Sequence, residues 1–278
     1  MIHPTAVVEA GAELGSNVTV GAGAWIEAGA QVGADCVIGP RVTITRYARL
    51  GPRCRVHPGA ALGEPPQDLG FKGGESFVTL GADCVVREGV TIHRGTQPGS
   101  ETRVGDGCYL MTNAHLAHNV RLEAGVILAS GALLAGYVEV GARAFISGNC
   151  VVHQFVRIGR LAMLGGLSGV SKDVPPFCTV RSGEINRLAG LNVVGLRRAG
   201  LPAEERRQIQ DVFRQLYRAG LPLRAAAQRL CETVPAGPGR ELAEFVLQSR
   251  RGVCGLERAA AEEEAAGNAE PARTAPEA

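Results

Sequence analysis

Two histidines in the segment Asn113-Ala-His-Leu-Ala-His118 are the side chains in this sequence best suited to acid–base chemistry. Imidazole exchanges protons near neutral pH, and it is the commonest general base in enzymes. The His-x-x-His spacing of His115 and His118 also suits two ligands of a zinc ion, with His93 or His153 as a third. No firm third ligand stands out. The sequence therefore favours proton transfer over a metal site at this segment.

A six-residue period positions these histidines. An aliphatic residue recurs at every sixth place from Ile2 to Val170, interrupted at Gly63 to Phe77 and at Arg94 to Arg103. A small or β-branched residue stands two places before each of them. This period fits neither a helix nor a simple strand. It predicts a parallel β-helix of 26 hexads, which is between eight and nine three-sided coils of eighteen residues.

Residues eighteen apart in such a coil lie on the same side, one above another. His118 is then next to Gly136, and Gly136 next to Gln154, with Asn119, Tyr137 and Phe155 in the neighbouring column. A glycine N–H without a side chain in front of it can donate to an oxyanion. Imidazole and amide together suit deprotonation of a hydroxyl that attacks an acyl carbonyl. The alternative is a surface histidine without a function.

The composition suits this fold. Glycine is abundant, with 38 residues, and aromatic residues make up 4% of the chain, as expected for a narrow interior with tight corners. The net charge of +2 is uninformative about nucleic acid, and we expect no nucleic-acid partner. No apolar run reaches the roughly 18 residues of a membrane span, and no signal peptide is evident. We expect a cytoplasmic protein without membrane insertion.

Most cysteines follow the repeat. No CxxC pair occurs, which disfavours a zinc knuckle. We therefore predict that the repeat cysteines are small buried hydrophobic residues. Those that stand two places before a repeat aliphatic are Cys36, Cys54, Cys84, Cys108 and Cys150.

The period changes after Asp173-Val-Pro-Pro176, where consecutive prolines are expected to stop the ladder. We predict a β-helix domain over 1–181, a helical domain over 182–256 and a disordered tail over 257–278. The helical domain carries twelve arginines against seven acidic residues, an excess that suits either an acidic partner or a solvated helix face. The predicted helices lie near 186–199, 203–219, 222–234 and 238–251.

Two predicted loops leave the rod at the interruptions, around 64–74 and 95–101. Loops on a rigid scaffold are where binding residues concentrate. For the second loop, a tolerated insertion is an equal alternative.

Seven segments, spread over about 130 residues, resemble the bacterial UDP-N-acetylglucosamine O-acyltransferases of lipid A synthesis. They occur in the family's order, and a helical domain follows them as in that family. The segments are Gln67-Asp-Leu69, Thr91-Ile-His-Arg-Gly-Thr96, Asn113-Ala-His-Leu-Ala-His118, Val152-His-Gln-Phe155, Gly165-Gly-Leu-Ser-Gly-Val170, Asp173-Val-Pro-Pro176 and Asn192-Val-Val-Gly-Leu-Arg-Arg198.

The resemblance implies a mainly β fold, a left-handed parallel β-helix of hexapeptide repeats followed by a small helical domain. It implies a homotrimer with active sites between subunits. The implied reaction transfers an R-3-hydroxyacyl chain from acyl carrier protein to the 3-hydroxyl of UDP-N-acetylglucosamine, without a covalent acyl-enzyme. No cofactor is implied beyond the phosphopantetheine of acyl carrier protein, which holds the acyl donor, and no metal.

The resemblance also implies roles for individual residues. His118 matches the general base and Gly136 the backbone oxyanion donor. Gly166 matches the position that gauges acyl length. The matched substrate-binding or cleft-lining positions are Gln67, Asp68, His115, Tyr137, His153, Gln154, Gly166, Asn192 and Arg198.

The chain departs from the family pattern at four places. Asn119 replaces an Asp beside the base, and Tyr137 replaces a His within reach of the acceptor sugar. Val194 and Ala199 replace polar or charged residues near the nucleotide. A 3-amino sugar nucleotide as acceptor and a non-catalytic trimeric scaffold therefore stay open as alternatives. The related N-acyltransferases carry a globular domain before the repeats, whereas here the hexads begin at Ile2, which favours the O-acyltransferases.

Overall fold

The fold is a left-handed parallel β-helix capped by a small helical domain. The computed structural model describes residues 1–256, and the tail predicted from 257 lies outside the described residues. Most hexads contribute two strand residues and a four-residue corner, so three hexads close one triangular coil. The third corner residue often has a positive φ, as at Asn113 (58°) and Asn119 (60°). Asparagine tolerates this conformation, which explains its recurrence at corners.

The first face of the prism, face 1, is a parallel sheet of nine strands in the order of the coils. Its strands are β1 (Val7–Val8), β4 (Trp25–Ile26), β7 (Thr43–Ile44), β10 (Ala61–Glu64), β13 (Thr91–His93), β16 (His115–Leu116), β19 (Leu133–Leu134), β22 (Val151–Val152) and β25 (Gly169–Val170).

Face 2 is a parallel sheet of eight strands. Its strands are β2 (Glu13–Leu14), β5 (Gln31–Val32), β8 (Ala48–Leu50), β11 (Phe77–Leu80), β14 (Glu101–Val104), β17 (Arg121–Leu122), β20 (Glu139–Val140) and β23 (Arg157–Ile158).

Face 3 has eleven strands, because three strands beyond the repeats extend it. Its strands are β3 (Thr19–Val20), β6 (Val37–Ile38), β9 (Arg55–Val56), β12 (Val85–Val86), β15 (Tyr109–Leu110), β18 (Ile127–Leu128), β21 (Phe145–Ile146), β24 (Met163–Leu164), β26 (Cys178–Val180), β27 (Arg187–Leu191) and β28 (Gly255–Leu256).

The interior confirms the repeat pattern. The sixth-place aliphatics and the small residues two places before them point inward and are almost all buried, as Ala24 and Ile26 illustrate. The five repeat cysteines are free and buried, as predicted. Burial of this continuous apolar column, at about 25 cal/mol per Å², is the main source of stability.

Outward side chains differ between the faces. Face 2 presents charges, whereas face 3 presents mainly apolar residues over the same coils and face 1 does so only in the coils after Thr91 and His115. The outward columns are Arg103, Arg121, Glu139 and Arg157 on face 2; Leu133, Val151 and Gly169 on face 1; and Val85, Tyr109, Ile127, Phe145 and Met163 on face 3.

Both insertions leave the coil at the corner between faces 1 and 2. The first connects β10 to β11 and the second connects β13 to β14. The next coil places His118 at the same corner, between β16 and β17. The two loops therefore lie along the edge of the prism that carries the predicted base.

The predicted end of the ladder at the two prolines was wrong. Val174 still pairs with Ile158, and β26 continues face 3 after Pro176. The prolines occupy a corner, where a missing N–H removes no ladder hydrogen bond.

The predicted helix over 186–199 was wrong in its first half, which forms the strand β27. This strand pairs antiparallel with β26, with Cys178 opposite Leu191 and Thr179 opposite Gly190. The edge of the last sheet strand offers unpaired backbone groups, and tertiary pairing outweighs local helix propensity. The helices are α1 (Val193–Arg198), α2 (Ala203–Arg218), α3 (Leu223–Thr233) and α4 (Pro238–Gln248).

Asp173 joins the end of the coil to the C-terminal segment. Its carboxylate, in a residue 1% exposed, accepts hydrogen bonds from Arg157 N at 2.9 Å and from Ser249 Oγ at 2.8 Å. Its own backbone pairs with Gly252 and Cys254. Asp173 therefore contacts both the coil and the C-terminal segment and helps to hold the two domains together.

Replacing Asp173 with alanine should destabilise the fold by about 3 kcal/mol, because two buried donors lose a charged acceptor. Thermal and denaturant unfolding at one fixed protein concentration measure the change. Asp211→Ala on the exposed side of α2 is the control and should stay within about 0.5 kcal/mol of the parent. Equal stabilities of the two variants would contradict the linking role.

Candidate active site

His118 and Gly136 are stacked at the corner between faces 1 and 2, as their spacing predicts. A Cβ added to Gly136 would overlap the imidazole ring and lie 2.6 Å from its Nε2 atom. The backbone fixes this register, because Tyr137 N donates to His118 O at 3.0 Å and Phe155 N to Gly136 O at 3.0 Å. The His118 side chain is 12% exposed, so it is sheltered but still reachable.

The Gly136 N–H has no hydrogen-bond acceptor among residues 1–256. Among the described residues the same corner amide is also without an acceptor at His118 and Gln154, so the coil leaves this position outside the ladder, and at Gly136 the amide carries no side chain of its own. It can donate to an oxygen of a bound molecule. The stack therefore combines a proton acceptor and an oxyanion donor at one point.

Hydrogen bonds determine which nitrogen of His118 carries the proton. Asn119 Oδ1 accepts from Thr96 N at 3.1 Å and from Thr96 Oγ1 at 3.0 Å. Since a backbone N–H can only donate, the atom at this point must be the amide oxygen. The Nδ1 atom of His118 lies 3.1 Å from the same oxygen and must therefore donate. Neutral His118 then keeps its lone pair on Nε2.

Asp68 faces the Nε2 side of His118. Its Oδ2 atom is 3.9 Å from Nε2, and its Oδ1 atom accepts a hydrogen bond from Gly70 N at 2.8 Å. This separation is longer than a hydrogen bond, so Asp68 leaves the Nε2 atom of His118 available to a substrate. A hydroxyl group between them would meet an acceptor on either side.

Arg94 anchors the loop that carries Asp68. Its guanidinium donates to Gly74 O at 2.6 Å and to Ser76 Oγ at 3.1 Å. It also lies over the rings of Tyr47 and Phe71, with 4.6 Å and 4.9 Å to their centroids. Cation–π contacts of a desolvated arginine are strong. The sequence reasoning did not assign this role to Arg94.

Two further histidines lie beside the base and are neutral at pH 7. His93 and His115 meet edge to face, with centroids 5.1 Å apart, and His115 Nδ1 is 2.7 Å from Thr91 Oγ1. Burial lowers the pKa of His115 and lowers the pKa of His93 to about 4. Since the folded pKa of His93 is depressed, acid costs stability from about pH 6.5 down to about 4.

The zinc alternative finds no third ligand. Throughout the described chain, no three His, Cys, Asp or Glu side chains converge as a metal site would require. His93 reaches His115 through its ring and leaves its own Nδ1 buried without a partner.

Tyr137 forms a wall of the site. Its ring meets His118 edge to face at 5.2 Å and stacks on Phe155 at 4.9 Å. Its hydroxyl lies 2.8 Å from Thr96 Oγ1 and therefore does not face the Nε2 side of His118. Tyr137 and Phe155 have φ values of 60° and 64°, which cost an aromatic residue on the order of 1–2 kcal/mol each.

The remaining predicted positions on this edge are exposed. Gln67 and Gln154 are accessible on the loop and on the coil above Gly136. His153 Nδ1 lies 3.1 Å from Gln154 O and 3.3 Å from Arg251 Nη2, so the C-terminal segment reaches the same edge.

Asn192, Arg198 and Gly166 lie at other corners of the prism. Asn192 caps α1, accepting from Gly195 N at 2.9 Å and donating to Leu161 O at 2.9 Å, at the corner between faces 2 and 3. Arg198 ends the same helix and is exposed. Gly166 lies between β24 and β25, at the corner between faces 3 and 1. One chain therefore does not bring these residues to His118.

Sequence reasoning gave no role in the site to Thr96, Phe155 or Arg251, although it placed Phe155 in the column beside His118. Thr96 lies in the segment Thr91–Thr96 that carried the family resemblance, and Phe155 follows from the eighteen-residue column of Tyr137. No signal in the sequence pointed to Arg251, which arrives from the end of the helical domain.

Comparison with known proteins decides the family. The acyl-[acyl-carrier-protein]–UDP-N-acetylglucosamine O-acyltransferase of Sulfurovum sp. is 40% identical over 253 residues, covering 91% of this chain and 96% of the relative. The chain belongs to the UDP-N-acetylglucosamine O-acyltransferase family. The model of that family's second domain matches residues 173–254, and the bacterial transferase hexapeptide model matches residues 101–136.

Other relatives agree with this membership. The Synechocystis sp. enzyme of the same name is 45% identical over 173 residues, which is 62% of this chain and 62% of that relative. The solved UDP-N-acetylglucosamine acyltransferase from Campylobacter jejuni is 34% identical, with a TM-score of 0.86 over 93% of this chain and 100% of that one. An Arabidopsis acyltransferase structure in this family has a TM-score of 0.81.

Gly136→Ala should displace the imidazole of His118, because the new methyl group would occupy the ring's place. The residue has no positive φ, so the change tests space alone. We expect a loss of about 2 kcal/mol in stability from overpacking, and a rotated ring in the crystal structure of the variant. Gly255→Ala, whose Cβ meets no atom, is the control. An unmoved His118 ring in Gly136→Ala would contradict the stack.

Proposed function

We propose that this protein transfers an R-3-hydroxyacyl chain from acyl carrier protein to the 3-hydroxyl of UDP-N-acetylglucosamine, the first step of lipid A biosynthesis. The proposal rests on one observation: the imidazole of His118 lies where a side chain on Gly136 would stand, and the Gly136 N–H has no acceptor among residues 1–256. The names of the relatives support the substrates. No helix within residues 1–256 is long and apolar enough to span a membrane. We expect the protein to act in the cytoplasm.

The reaction begins when the sugar hydroxyl donates its proton to Nε2 of His118. The hydroxyl oxygen attacks the thioester carbonyl, and the carbonyl oxygen takes the negative charge and is stabilised by the Gly136 N–H. The intermediate then expels the phosphopantetheine thiolate, which receives the proton from the imidazolium. Acyl transfer is direct, and the acyl group arrives already bound to the carrier.

Asp68 assists at two stages of this sequence. Its carboxylate accepts hydrogen bonds from the acceptor sugar. While His118 is protonated, the negative charge 3.9 Å from Nε2 stabilises the imidazolium. Because 3.9 Å is longer than a hydrogen bond, Asp68 does not bind the Nε2 proton, and His118 can pass this proton to the leaving thiolate.

We further propose a homotrimer with composite sites. Leu133 and Val151 on face 1 are 44% and 50% exposed, and the outward column of face 3 is also apolar. Continuous exposed apolar surface marks protein interfaces. Packing face 1 of one subunit on face 3 of the next closes a three-fold ring and leaves the charged face 2 outside.

This packing completes the site. The corner between faces 3 and 1, with Gly166, lies near the three-fold axis, and the corner of His118 meets the next subunit's corner between faces 2 and 3. His118 then approaches Asn192 and Arg198 of the next subunit, where a guanidinium suits the diphosphate of a nucleotide sugar. Gly166 lies at the deep end of the cleft, with room for a long acyl chain. The arginine excess of residues 182–256 complements acidic acyl carrier protein.

His118→Ala should lower acyl transfer by about 10³-fold, the range expected for loss of a general base, while the protein stays folded. The assay offers hydroxyacyl carriers of graded length with UDP-N-acetylglucosamine or its 3-amino analogue and identifies products by mass. His3→Ala at the exposed N-terminus is the control. Turnover retained by His118→Ala would show that His118 is not the base, absence of turnover in the parent would return the protein to the scaffold class, and activity with the amino sugar alone would replace the acceptor.

Mixed trimers test whether the site is shared. His118→Ala and Arg198→Ala subunits are each expected to form trimers of low activity. In an equal mixture, one site in about four combines an intact His118 with an intact Arg198 from the next subunit, so activity should recover to about a quarter of the parent value. Light scattering confirms the trimer. A mixture no more active than its components would refute the composite site.

A further inference from the structure

We propose that Thr96 and Tyr137 are positioning residues that hold His118 in its catalytically useful tautomer through Asn119. Three hydrogen bonds connect them. They run from Tyr137 Oη to Thr96 Oγ1 at 2.8 Å, from Thr96 Oγ1 to Asn119 Oδ1 at 3.0 Å, and from His118 Nδ1 to Asn119 Oδ1 at 3.1 Å. The effect on turnover rests on the proposed acyl transfer, whereas the effect on the tautomer does not.

The donor and the acceptor of each hydrogen bond in this network are determined. The amide oxygen of Asn119 has no proton, so the hydroxyl of Thr96 must donate to it. A hydroxyl has one proton, so Thr96 Oγ1 can only accept from Tyr137, and Tyr137 must be the donor. The phenol proton is therefore committed to Thr96. The direction of every bond runs from Tyr137 and from His118 toward Asn119.

The hydrogen-bond network prevents the side-chain amide of Asn119 from rotating by 180°. If the amide rotated by half a turn, its NH₂ group would face Thr96 N, a donor that cannot reverse its role, and His118 would have to accept at Nδ1 in its other tautomer. Leaving such groups unpaired in a sheltered site is costly. The backbone of Asn119 is also fixed, because its N–H donates to Thr102 Oγ1 on β14 at 2.8 Å.

The packing of Tyr137 serves the same end. The residue holds a left-handed backbone conformation with φ of 60°, its ring lies between His118 and Phe155, and its hydroxyl reaches the loop that follows β13. A conformation that aromatic residues rarely adopt needs compensating contacts. These contacts place the ring edge against the imidazole and leave the acceptor sugar to Asp68 on the opposite side.

The network orients His118 without a charge next to Nδ1. The titratable groups that face the imidazole are Asp68 on the Nε2 side, Tyr137 through its ring, and the neutral pair His93 and His115. Asn119 is neutral, so it fixes the proton of Nδ1 by geometry alone. Hydrogen-bond geometry, rather than an ion pair, keeps Nε2 unprotonated and aimed at substrate.

Tyr137→Phe and Thr96→Val test this role, because each removes hydroxyl bonding and keeps most of the shape. We expect kcat to fall about 5- to 10-fold in each variant, with the KM for the acceptor changed less than about 2-fold. Thr96→Ser keeps the hydroxyl and should recover kcat to within about 2-fold of the parent. Tyr217→Phe, which removes a hydroxyl from the helical domain, is the control.

The ¹⁵N spectrum of labelled histidine reports the tautomer directly in the full-length protein. Wild-type His118, assigned with His118→Ala, should show a protonated Nδ1 and an unprotonated Nε2 at neutral pH. Tyr137→Phe and Thr96→Val keep the Thr96 N–H on the Asn119 oxygen but loosen or remove the hydroxyl bond beside it, so each should add a minor fraction of the Nε2–H tautomer, whereas Thr96→Ser should show the wild-type pattern. Asn119→Asp keeps the acceptor and adds a charge, so it should keep the tautomer and move the acid limb of the kcat/KM profile to higher pH.

Two outcomes would overturn the proposal. One is an unchanged ¹⁵N pattern in both Tyr137→Phe and Thr96→Val; the other is a loss confined to KM, which would make Tyr137 a substrate contact. If no variant, including the parent, transfers acyl groups, the proposed function fails. The tautomer measurement still decides the positioning role in that case.

Discussion

The backbone ladder that runs along the axis of the coil is the constraint on which the site depends. Each short strand hydrogen-bonds only to the coils above and below it, so residues eighteen apart are fixed within one strand spacing. His118 and Gly136 are held by two such bonds at their own corner. The close contact between ring and glycine therefore does not depend on flexible side chains. A site on regular elements can be held to the tolerance that catalysis requires.

The coil supplies only part of the site, and the two insertions supply the rest. Leu62 to Leu80 and Ile92 to Val104 are separated by eighteen and twelve residues where the repeat needs six, so both insertions are multiples of six. The repeat therefore resumes in phase. Both loops emerge at the corner between faces 1 and 2, and His118 lies at the same corner in the next coil. One loop brings Asp68 to the Nε2 side and the other brings Thr96 to the Nδ1 side. The two sides of the imidazole are thus controlled by different insertions.

The fold and the column of the site could be predicted from the sequence because both follow from a period. Aliphatic spacing determines faces, and the eighteen-residue spacing determines which residues stack. The strand β27 could not be predicted this way, because an exposed sheet edge rather than local propensity made Arg187–Leu191 a strand. Thr96 and Arg251 were also beyond such reasoning, since loop folding and domain docking join residues far apart in sequence. The roles proposed for Asn192 and Arg198 require a second subunit, whose placement no pattern in one chain can predict.

The distribution of charge within the site explains how a neutral amide can stand beside the base. Burial keeps His93 and His115 neutral, so no positive charge opposes protonation of His118. In the proposed reaction the fixed negative charge of Asp68 faces the substrate and acts on the imidazolium only after the proton has moved. A second carboxylate on the Nδ1 side would stabilise the imidazolium throughout and make the proton harder to return to the leaving thiolate. An oriented amide avoids this, because it determines where the proton sits without binding it more tightly.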